Sequence, residues 1–336
     1  MSGTTSPGGI RPPLLSHVAV SRADPPPEEI RLMQPTETRP DHGGASWPFE
    51  RIQRPPRVSL GFLLLTLVVG VTVVAFFQLL AFRDPGRWCP PMRWLWHATG
   101  GIVDGTLVAG VTLQAIVVAG LLFGVARLRP RDVGLDLRRL WPALGFLIAA
   151  WAAIQLLLVL ILPLCGQGIG LGPHWTTGDW RGGVGEWLGQ LLGNCPYEEV
   201  FFRGFLLPQC GLVAMRWMPR ARPRSLVAAA LVLSQALFAL AHVFFNLHLP
   251  QGQWLLLAQF VFGIVFALVY LRTGNLFLAM ALHVLLNNPA PLVEDPLPGP
   301  GAGGSVVLVG ILLWVVSLAW AKPPCSRTDA GRTLPR

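Results

Sequence analysis

Side chains able to do acid–base chemistry occur on three apolar stretches of the chain. They are Glu198, Glu199 and Arg203 on the first stretch, His242 at the end of the second, and His283 and Asn287 on the third. An ionisable side chain in an apolar span costs several kcal/mol to insert, so such residues are expected to serve a function. Their types and order predict a hydrolytic site assembled from three helices.

Helical spacing assigns different tasks to the two adjacent glutamates. Glu199 and Arg203 are four residues apart, so they share a helix face and are expected to form an ion pair. Removing either partner would leave an uncompensated buried charge. Glu198 points about 100° away from that pair. A carboxylate without a fixed cation in apolar surroundings is suited to act as a general base towards water.

The remaining polar residues supply hydrogen-bond donors and acceptors for the same chemistry. His242 and His283 each offer a ring nitrogen, and Asn287 lies four residues after His283 on the same helical face. Imidazole and amide groups suit stabilisation of a developing oxyanion. With Glu198, they would provide one acid, two histidines and one amide.

Each of these residues also has a purely structural interpretation. Glu199 and Arg203 could be an ion pair that only holds helices together. His242 could be an interfacial histidine at the outer end of its span. Asn287 and its neighbour Asn288 could cap the end of the last of the three stretches.

A metal site competes with the metal-free interpretation. Glu198, His242 and His283 could form a His2Glu set with water in the fourth position, as catalytic zinc requires. The sequence lacks the HExxH spacing that places two ligands and a base on one helix. The five cysteines show no CxxC spacing. A metal-free site is favoured, and zinc stays open as the alternative.

Composition identifies the elements that must position these residues. Apolar residues make up 52% of the 336-residue chain and charged residues only 13%, against roughly 25% in soluble proteins. These values exclude a soluble enzyme, a nucleic-acid-binding domain and a disulfide-rich secreted module. The expected fold class is an all-α polytopic membrane protein, a bundle of about eight transmembrane helices. The predicted spans are Ser59–Phe82, Gly105–Ala126, Leu140–Leu164, Gly185–Leu207, Ser225–Asn246, Trp254–Leu271, Asn275–Pro291 and Ser305–Ala321.

The pattern outside the spans predicts the domain organisation and orientation. Residues 1–57 are rich in proline and are expected to be disordered and cytoplasmic. Residues 58–322 form the transmembrane domain, and residues 323–336 form a short basic tail. No cleavable signal peptide is expected. Arginines concentrate in alternate loops, which places both termini in the cytoplasm. The net charge of +9 is therefore a matter of topology and lipid contact, not of nucleic acid. A single lysine among 26 basic residues suggests a bacterial inner-membrane protein.

Three motifs in this order resemble the signature of the CPBP family. They are Glu198-Glu199-x-x-x-Arg203, Phe238-x-x-x-His242 and His283-x-x-x-Asn287. The family comprises CAAX prenyl endopeptidases of the Ras-converting type and bacterial homologues often labelled Abi. The resemblance covers roughly residues 140–291. Each motif lies within a predicted span, which makes the combination far more specific than any one of them.

The resemblance implies a role for each motif residue. Glu198 would activate the attacking water with assistance from His242. His283 and Asn287 would stabilise the tetrahedral intermediate, and Glu199 with Arg203 would support the site. Family members have been described both as metalloproteases and as glutamate-type proteases.

The expected function is therefore an intramembrane endopeptidase. Its substrate would be a membrane-anchored or lipidated protein, cleaved in contact with the lipid bilayer. In a bacterial protein-sorting role, the substrate would not need to be prenylated. The alternatives are a non-catalytic membrane partner, a bacteriocin self-immunity protein, and a transporter with a proton relay. A transporter would usually show internal repeats, and none is visible.

Overall fold

The computed structural model describes residues 56–80, 89–164, 166–246, 249, 251–290 and 292–293. Nearly all of the predicted N-terminal segment, the predicted last span Ser305–Ala321, the basic tail, and loop residue His248 lie outside these residues. Within them the chain is helical and contains no strand, only one isolated bridge between Leu171 and Val293. The α-helices are α1 Leu60–Leu80, α2 Pro90–Thr99, α3 Gly105–Leu113, α4 Leu140–Leu164, α5 Pro173–Thr176, α6 Trp180–Leu188, α7 Cys195–Glu198, α8 Leu207–Trp217, α9 Pro223–Ala241, α10 Val243–Asn246, α11 Gly252–Thr273 and α12 Leu276–Asn287.

The protein is a polytopic all-α membrane protein. Five helical segments in the described part of the chain are long and apolar enough to cross a bilayer, where eight spans were expected. They are Leu60–Phe77, Gly105–Val125, Leu137–Leu164, Pro223–Ala241 and Gly252–Thr273. The predicted span Asn275–Pro291 is the shorter helix α12. The predicted span Gly185–Leu207 is the middle of a longer helical run that also carries the charged motif.

That longer run, called the motif helix below, extends from Trp180 to Trp217 without a break. It joins α6, α7 and α8 through two π-helical segments, Gly189–Asn194 and Glu199–Leu206. Pro196 has no N–H to donate to the carbonyl of Leu192 four residues earlier. The Gln114 amide, from the π-helical continuation of α3, donates to Leu192 O at 2.7 Å and to Gly193 O at 2.8 Å. The side chain of one helix thus replaces the hydrogen bonding that the other cannot make.

Small residues let α3 approach the motif helix closely. A Cβ atom added to Gly110 would lie 2.2 Å from the carbonyl carbon of Gly193. One added to Gly185 would lie 2.1 Å from the carbonyl oxygen of Gly101. Gly185, Gly189 and Gly193 follow one another at four-residue spacing, the small-residue pattern typical of close helix contacts in membranes.

The start of α3 is fixed at the same contact. Asp104 caps the helix by accepting a hydrogen bond from the Leu107 N–H at 2.8 Å. Its carboxylate lies against the backbone of Gly189, where an added Cβ would come within 2.8 Å of Asp104 Oδ1. Partial burial raises the pKa of Asp104 above its usual value, since burial disfavours the charged form.

The two ends of the helix bundle differ in charge. Arg139 Nη1 donates to Thr273 O at 3.0 Å, and Gln209 Nε2 donates to Pro56 O at 3.1 Å. These bonds tie the starts of α4 and α1 to the ends of α11 and the motif helix. This arginine-rich end carries Arg57, Arg127, Arg129, Arg131, Arg138, Arg139, Arg216, Arg220, Arg222, Arg224 and Arg272. The opposite end carries Arg93 and Arg181 together with Asp104, Asp179 and Glu186 in its described residues.

Candidate active site

The Glu198 carboxylate lies between two histidine rings from other helices. Its Oε1 is 3.5 Å from His242 Nε2, and its Oε2 is 3.4 Å from His283 Nε2. The residue is 7% exposed and lies at the end of α7, inside the motif helix. Three separate segments of the chain therefore bring one acid and two imidazoles into one cluster.

Hydrogen bonds on the far side of each ring fix its orientation. His242, which follows the last residue of α9, has Nδ1 2.8 Å from the Phe238 carbonyl. His283 has Nδ1 2.8 Å from Glu199 Oε1. A carbonyl and a carboxylate can only accept, so both Nδ1 atoms carry the proton. In each ring Nε2 is then the atom that faces Glu198, ready to accept or exchange a proton.

Glu199 and Arg203 form a buried ion pair behind these rings. Arg203 Nη1 is 3.0 Å from Glu199 Oε1, and both side chains are 0% exposed. The Arg203 guanidinium also lies over the Phe238 ring, 4.1 Å from its centroid, a favourable cation–π geometry. Because Glu199 also accepts from His283, the pair is linked directly to the ring that faces Glu198.

Asn287 lies one turn beyond His283, and its side chain is held by Gln190. Its Nδ2 donates to Gln190 Oε1 at 2.9 Å. Asn288, rather than Asn287, stabilises the turn after α12, because its Oδ1 accepts from Ala290 N at 2.9 Å. The side chain of Asn287 is thus held at the site and is not used as a cap.

A large apolar cavity connects these residues. Its volume is about 1280 Å³, above the range of roughly 300–1,000 Å³ usual for small-ligand pockets. Glu198, His242, His283 and Asn287 line it, and Glu199 and Arg203 lie behind its wall. Apolar side chains from α1, α3, α9 and α11 form most of the remaining wall. Such a space suits a peptide segment or a lipid-like chain.

The donor types suit zinc, but their arrangement does not converge on one point. Zinc needs its ligand atoms about 2.0–2.3 Å from a common centre, whereas the two oxygens of Glu198 face separate rings. In the described part of the chain, no three His, Cys, Asp or Glu side chains form a group that could hold a metal ion. The metal-free site stays a prediction, which metal removal tests.

Several polar residues of the site were not predicted. Gln190, Asn194 and Gln259 line the cavity, and Gln114 stabilises the π-helical segment next to it. The four-residue spacing of Gly185, Gly189 and Gly193 is a signal that would have identified this part of the motif helix as a packing surface.

Comparison with known families agrees with this geometry. Residues 180–288 match the family described as Type II CAAX prenyl endopeptidase Rce1-like. The matched segment contains all three motifs, from Glu198 to Asn287. The match covers less than half of the chain, and within it the segment is similar to CAAX proteases of the CPBP family. Neither a curated protein nor a solved structure gives a significant match. This match supports a CAAX-type intramembrane endopeptidase, and the described part of the chain has several helices long and apolar enough to cross a membrane.

Proposed function

We propose that this endopeptidase hydrolyses a peptide bond with a water molecule activated by Glu198. The observation that supports the proposal most strongly is the position of the Glu198 carboxylate between His242 Nε2 and His283 Nε2 on the wall of a large apolar cavity. A solvated or purely structural glutamate would not need two converging rings.

In this mechanism Glu198 accepts a proton from water as the oxygen attacks the scissile carbonyl carbon. His242 helps to orient that water through Nε2. The carbonyl oxygen becomes an oxyanion, stabilised by donors on His283 and Asn287. Glu198 then gives its proton to the departing amine, which completes cleavage of the C–N bond.

The ion pair contributes to this step through His283. To donate from Nε2, His283 must carry a proton on both ring nitrogens, and the Glu199 carboxylate at Nδ1 stabilises that charged ring. Arg203 prevents Glu199 from being an uncompensated buried anion. We therefore assign Glu199 and Arg203 as positioning residues and not as catalytic ones.

The proposed reaction does not use a metal ion. Glu198 can hold and deprotonate the water directly, since each of its oxygens already faces a ring nitrogen able to share a proton. Metal removal tests whether the reaction is metal-free.

The proposed substrate is a membrane-anchored or lipidated protein that is cut near one membrane face. His242 follows the last residue of α9 and Asn287 ends α12, both at the end opposite the arginine-rich loops. Because arginine-rich loops stay in the cytoplasm, the scissile bond would lie towards the outer face. A lysine-poor, arginine-rich composition favours a bacterial inner membrane and a role in protein sorting.

The experiment compares the membrane proteomes of cells carrying the unmodified protein or Glu198→Gln. Proteins that keep their membrane anchor only with Glu198→Gln would be the substrates, and their termini would define the cleavage rule. Glu186→Gln is the matched control, because Glu186 lies on the same motif helix but is half exposed and faces His174. Identical proteomes for all three proteins, each stably inserted, would reject proteolysis in favour of a non-catalytic or immunity role.

A further inference from the structure

Two pairs of amide side chains line the cavity beside the catalytic residues. Gln190 and Asn194 form the first pair, on the π-helical segment of the motif helix. Asn246, at the end of α10, and Gln259, on α11, form the second. None of the four belongs to the motifs of the family. Around them most of the cavity wall is apolar.

Each pair uses one donor and one acceptor internally. Asn194 Nδ2 donates to Gln190 Oε1 at 3.5 Å, and Asn246 Nδ2 donates to Gln259 Oε1 at 2.8 Å. Gln190 Oε1 also accepts from Asn287 and, at 3.5 Å, from the Cys195 thiol. In each pair, the same two polar groups have no hydrogen-bond partner among the described residues. They are a glutamine Nε2 donor and an asparagine Oδ1 acceptor.

The two pairs occupy equivalent positions relative to the catalytic centre. Asn194 lies four residues before Glu198 on the motif helix, and Asn246 lies four residues after His242. The motif helix and α9 run in opposite directions, so both pairs lie about one turn beyond the catalytic residues. Both are displaced towards the arginine-poor end of the helix bundle.

We infer that the two amide pairs bind the main chain of an extended substrate segment next to the scissile bond. A peptide unit presents one N–H donor and one carbonyl acceptor, which matches the asparagine acceptor and glutamine donor left over in each pair. Leaving those backbone groups unpaired in an apolar cavity would cost free energy. Main-chain recognition would also unwind a helical substrate locally, because its own hydrogen bonds must open. This inference rests on the proposed peptidase function.

The probe is a library of internally quenched peptides with an N-terminal acyl chain, presented in detergent micelles. The peptide cleaved fastest by the unmodified protein is resynthesised with single amide-to-ester replacements, each of which removes one N–H donor. The test variants are Asn194→Leu and Gln259→Leu, both at partly exposed positions. Their controls are Gln167→Leu and Gln253→Leu, which remove exposed amides after α4 and from α11 without changing the cavity wall.

Two results are expected if the amide pairs bind the backbone. Asn194→Leu and Gln259→Leu raise KM about two- to tenfold, the effect of losing one net hydrogen bond, while kcat changes little. One ester replacement raises KM for the unmodified protein by a similar factor but has no further effect with Asn194→Leu. The control variants keep both constants. Equal ester effects in the unmodified protein and in Asn194→Leu would overturn the inference, as would unchanged KM in both test variants.

A separate measurement distinguishes this inference from the proposed function. If the unmodified protein cleaves no library peptide, the peptidase proposal fails for these probes. Fluorescence anisotropy of the labelled acyl peptides on the Glu198→Gln protein then tests binding alone. Weaker binding on adding Asn194→Leu to Glu198→Gln supports the amide pairs. Equal binding, or no binding at all, overturns them.

Discussion

At the scale of single residues, the site is a chain of polar contacts that begins in the core of the helix bundle. Arg203 pairs with Glu199, Glu199 accepts from His283, and His283 faces Glu198. Each link fixes the next, so under the proposed function Glu198 is positioned by groups that would not touch a substrate. The arrangement would then separate residues needed for folding from residues needed for the reaction.

The first prediction concerns the buried ion pair. Arg203→Met should lower the free energy of unfolding by about 3–5 kcal/mol, because it leaves Glu199 charged and unpaired in the core. Thermal and denaturant unfolding in detergent, followed by circular dichroism, measures the effect. Arg139→Met is the control, since Arg139 is partly exposed and its side chain has only a 3.7 Å ion pair with Asp136 and one hydrogen bond to Thr273 O among the described residues. That surface pair should contribute about 0–1 kcal/mol. Similar losses for both variants would contradict the structural role given to Arg203.

The second prediction concerns metal dependence. Because Glu198 alone is proposed to deprotonate the water, a zinc chelator such as 1,10-phenanthroline should leave the cleavage rate unchanged. Elemental analysis of the purified protein should find less than one equivalent of zinc. Chelator inactivation that added zinc reverses would instead assign Glu198, His242 and His283 as metal ligands.

The sequence predicts part of this residue-scale arrangement. Four-residue spacing on one helix identifies the Glu199–Arg203 pair, since partners one turn apart meet whatever the rest of the fold does. The contact between Glu199 and His283 joins residues 84 positions apart. No local pattern encodes it. The same holds for Asn287, whose partner Gln190 is 97 positions away.

At the scale of helices, the crossing of α3 with the motif helix sets the position of Glu198. Gly110 meets the backbone of Gly193 at a distance that excludes any side chain. Gln114 completes the contact by donating to the Leu192 carbonyl, which Pro196 leaves without a donor, and to the Gly193 carbonyl. Glu198 follows within two turns, so a shift of this crossing would move it away from both histidines.

The third prediction follows from that crossing. Gly110→Ala should destabilise the protein by about 1–3 kcal/mol, the usual effect of overpacking a tight contact, and should also reduce cleavage. Gly61→Ala is the matched control, because a Cβ there meets nothing within 4 Å. In an exposed helical position that change should be neutral or stabilising by about 0.5–1 kcal/mol. Unfolding in detergent measures both. Indistinguishable stabilities for the two variants would show that the helices do not meet at Gly110.

Helix positions are largely predictable from the sequence, and their internal form is not. Apolar runs predict α1, α4, α9 and α11 within a few residues, because bilayer thickness fixes the length of a span. The amino-acid composition gives no signal for the two π-helical segments of the motif helix. They depend on packing against other helices, as the contact of Gln114 with Leu192 shows.

At the scale of the whole molecule, the arginine side chains and the candidate active site lie near opposite ends of the helix bundle. Arginines crowd one end of the bundle, whereas His242 and Asn287 lie near the other. With the arginine-rich end in the cytoplasm, as the positive-inside rule predicts, the proposed catalytic cluster would lie towards the outer side of the membrane. Substrates would need their scissile bond on that side.

The fourth prediction tests this orientation by labelling single cysteines in intact cells. With the native cysteines replaced, Gln251→Cys at the start of α11 should react with a membrane-impermeant maleimide. Arg220→Cys, just before α9 at the arginine-rich end of the bundle, should react only after permeabilisation. Both positions are exposed, so accessibility within the protein does not differ. The reverse pattern would place the catalytic cluster towards the cytoplasm.

Two of the eight predicted spans differ from an ordinary apolar span, and a third, Ser305–Ala321, lies outside the described residues. Eight were expected, and five are long and apolar enough within the described residues. The motif helix carries charge in its middle and α12 is short, so neither resembles an ordinary span. The polar residues of the motif helix and the short helix α12 are surrounded by neighbouring helices and not by lipid. That environment cannot be deduced from one segment alone.

Hydrolysis by Glu198 can be measured directly on the purified protein. The most direct test reconstitutes purified protein with the acylated quenched peptides and measures the initial rate of cleavage. Glu198→Gln should lower that rate at least a hundredfold, the lower range for loss of a general base, while its thermal unfolding stays close to that of the unmodified protein. Glu186→Gln should cleave at the unmodified rate. Cleavage by Glu198→Gln at a rate near that of the unmodified protein would contradict the account.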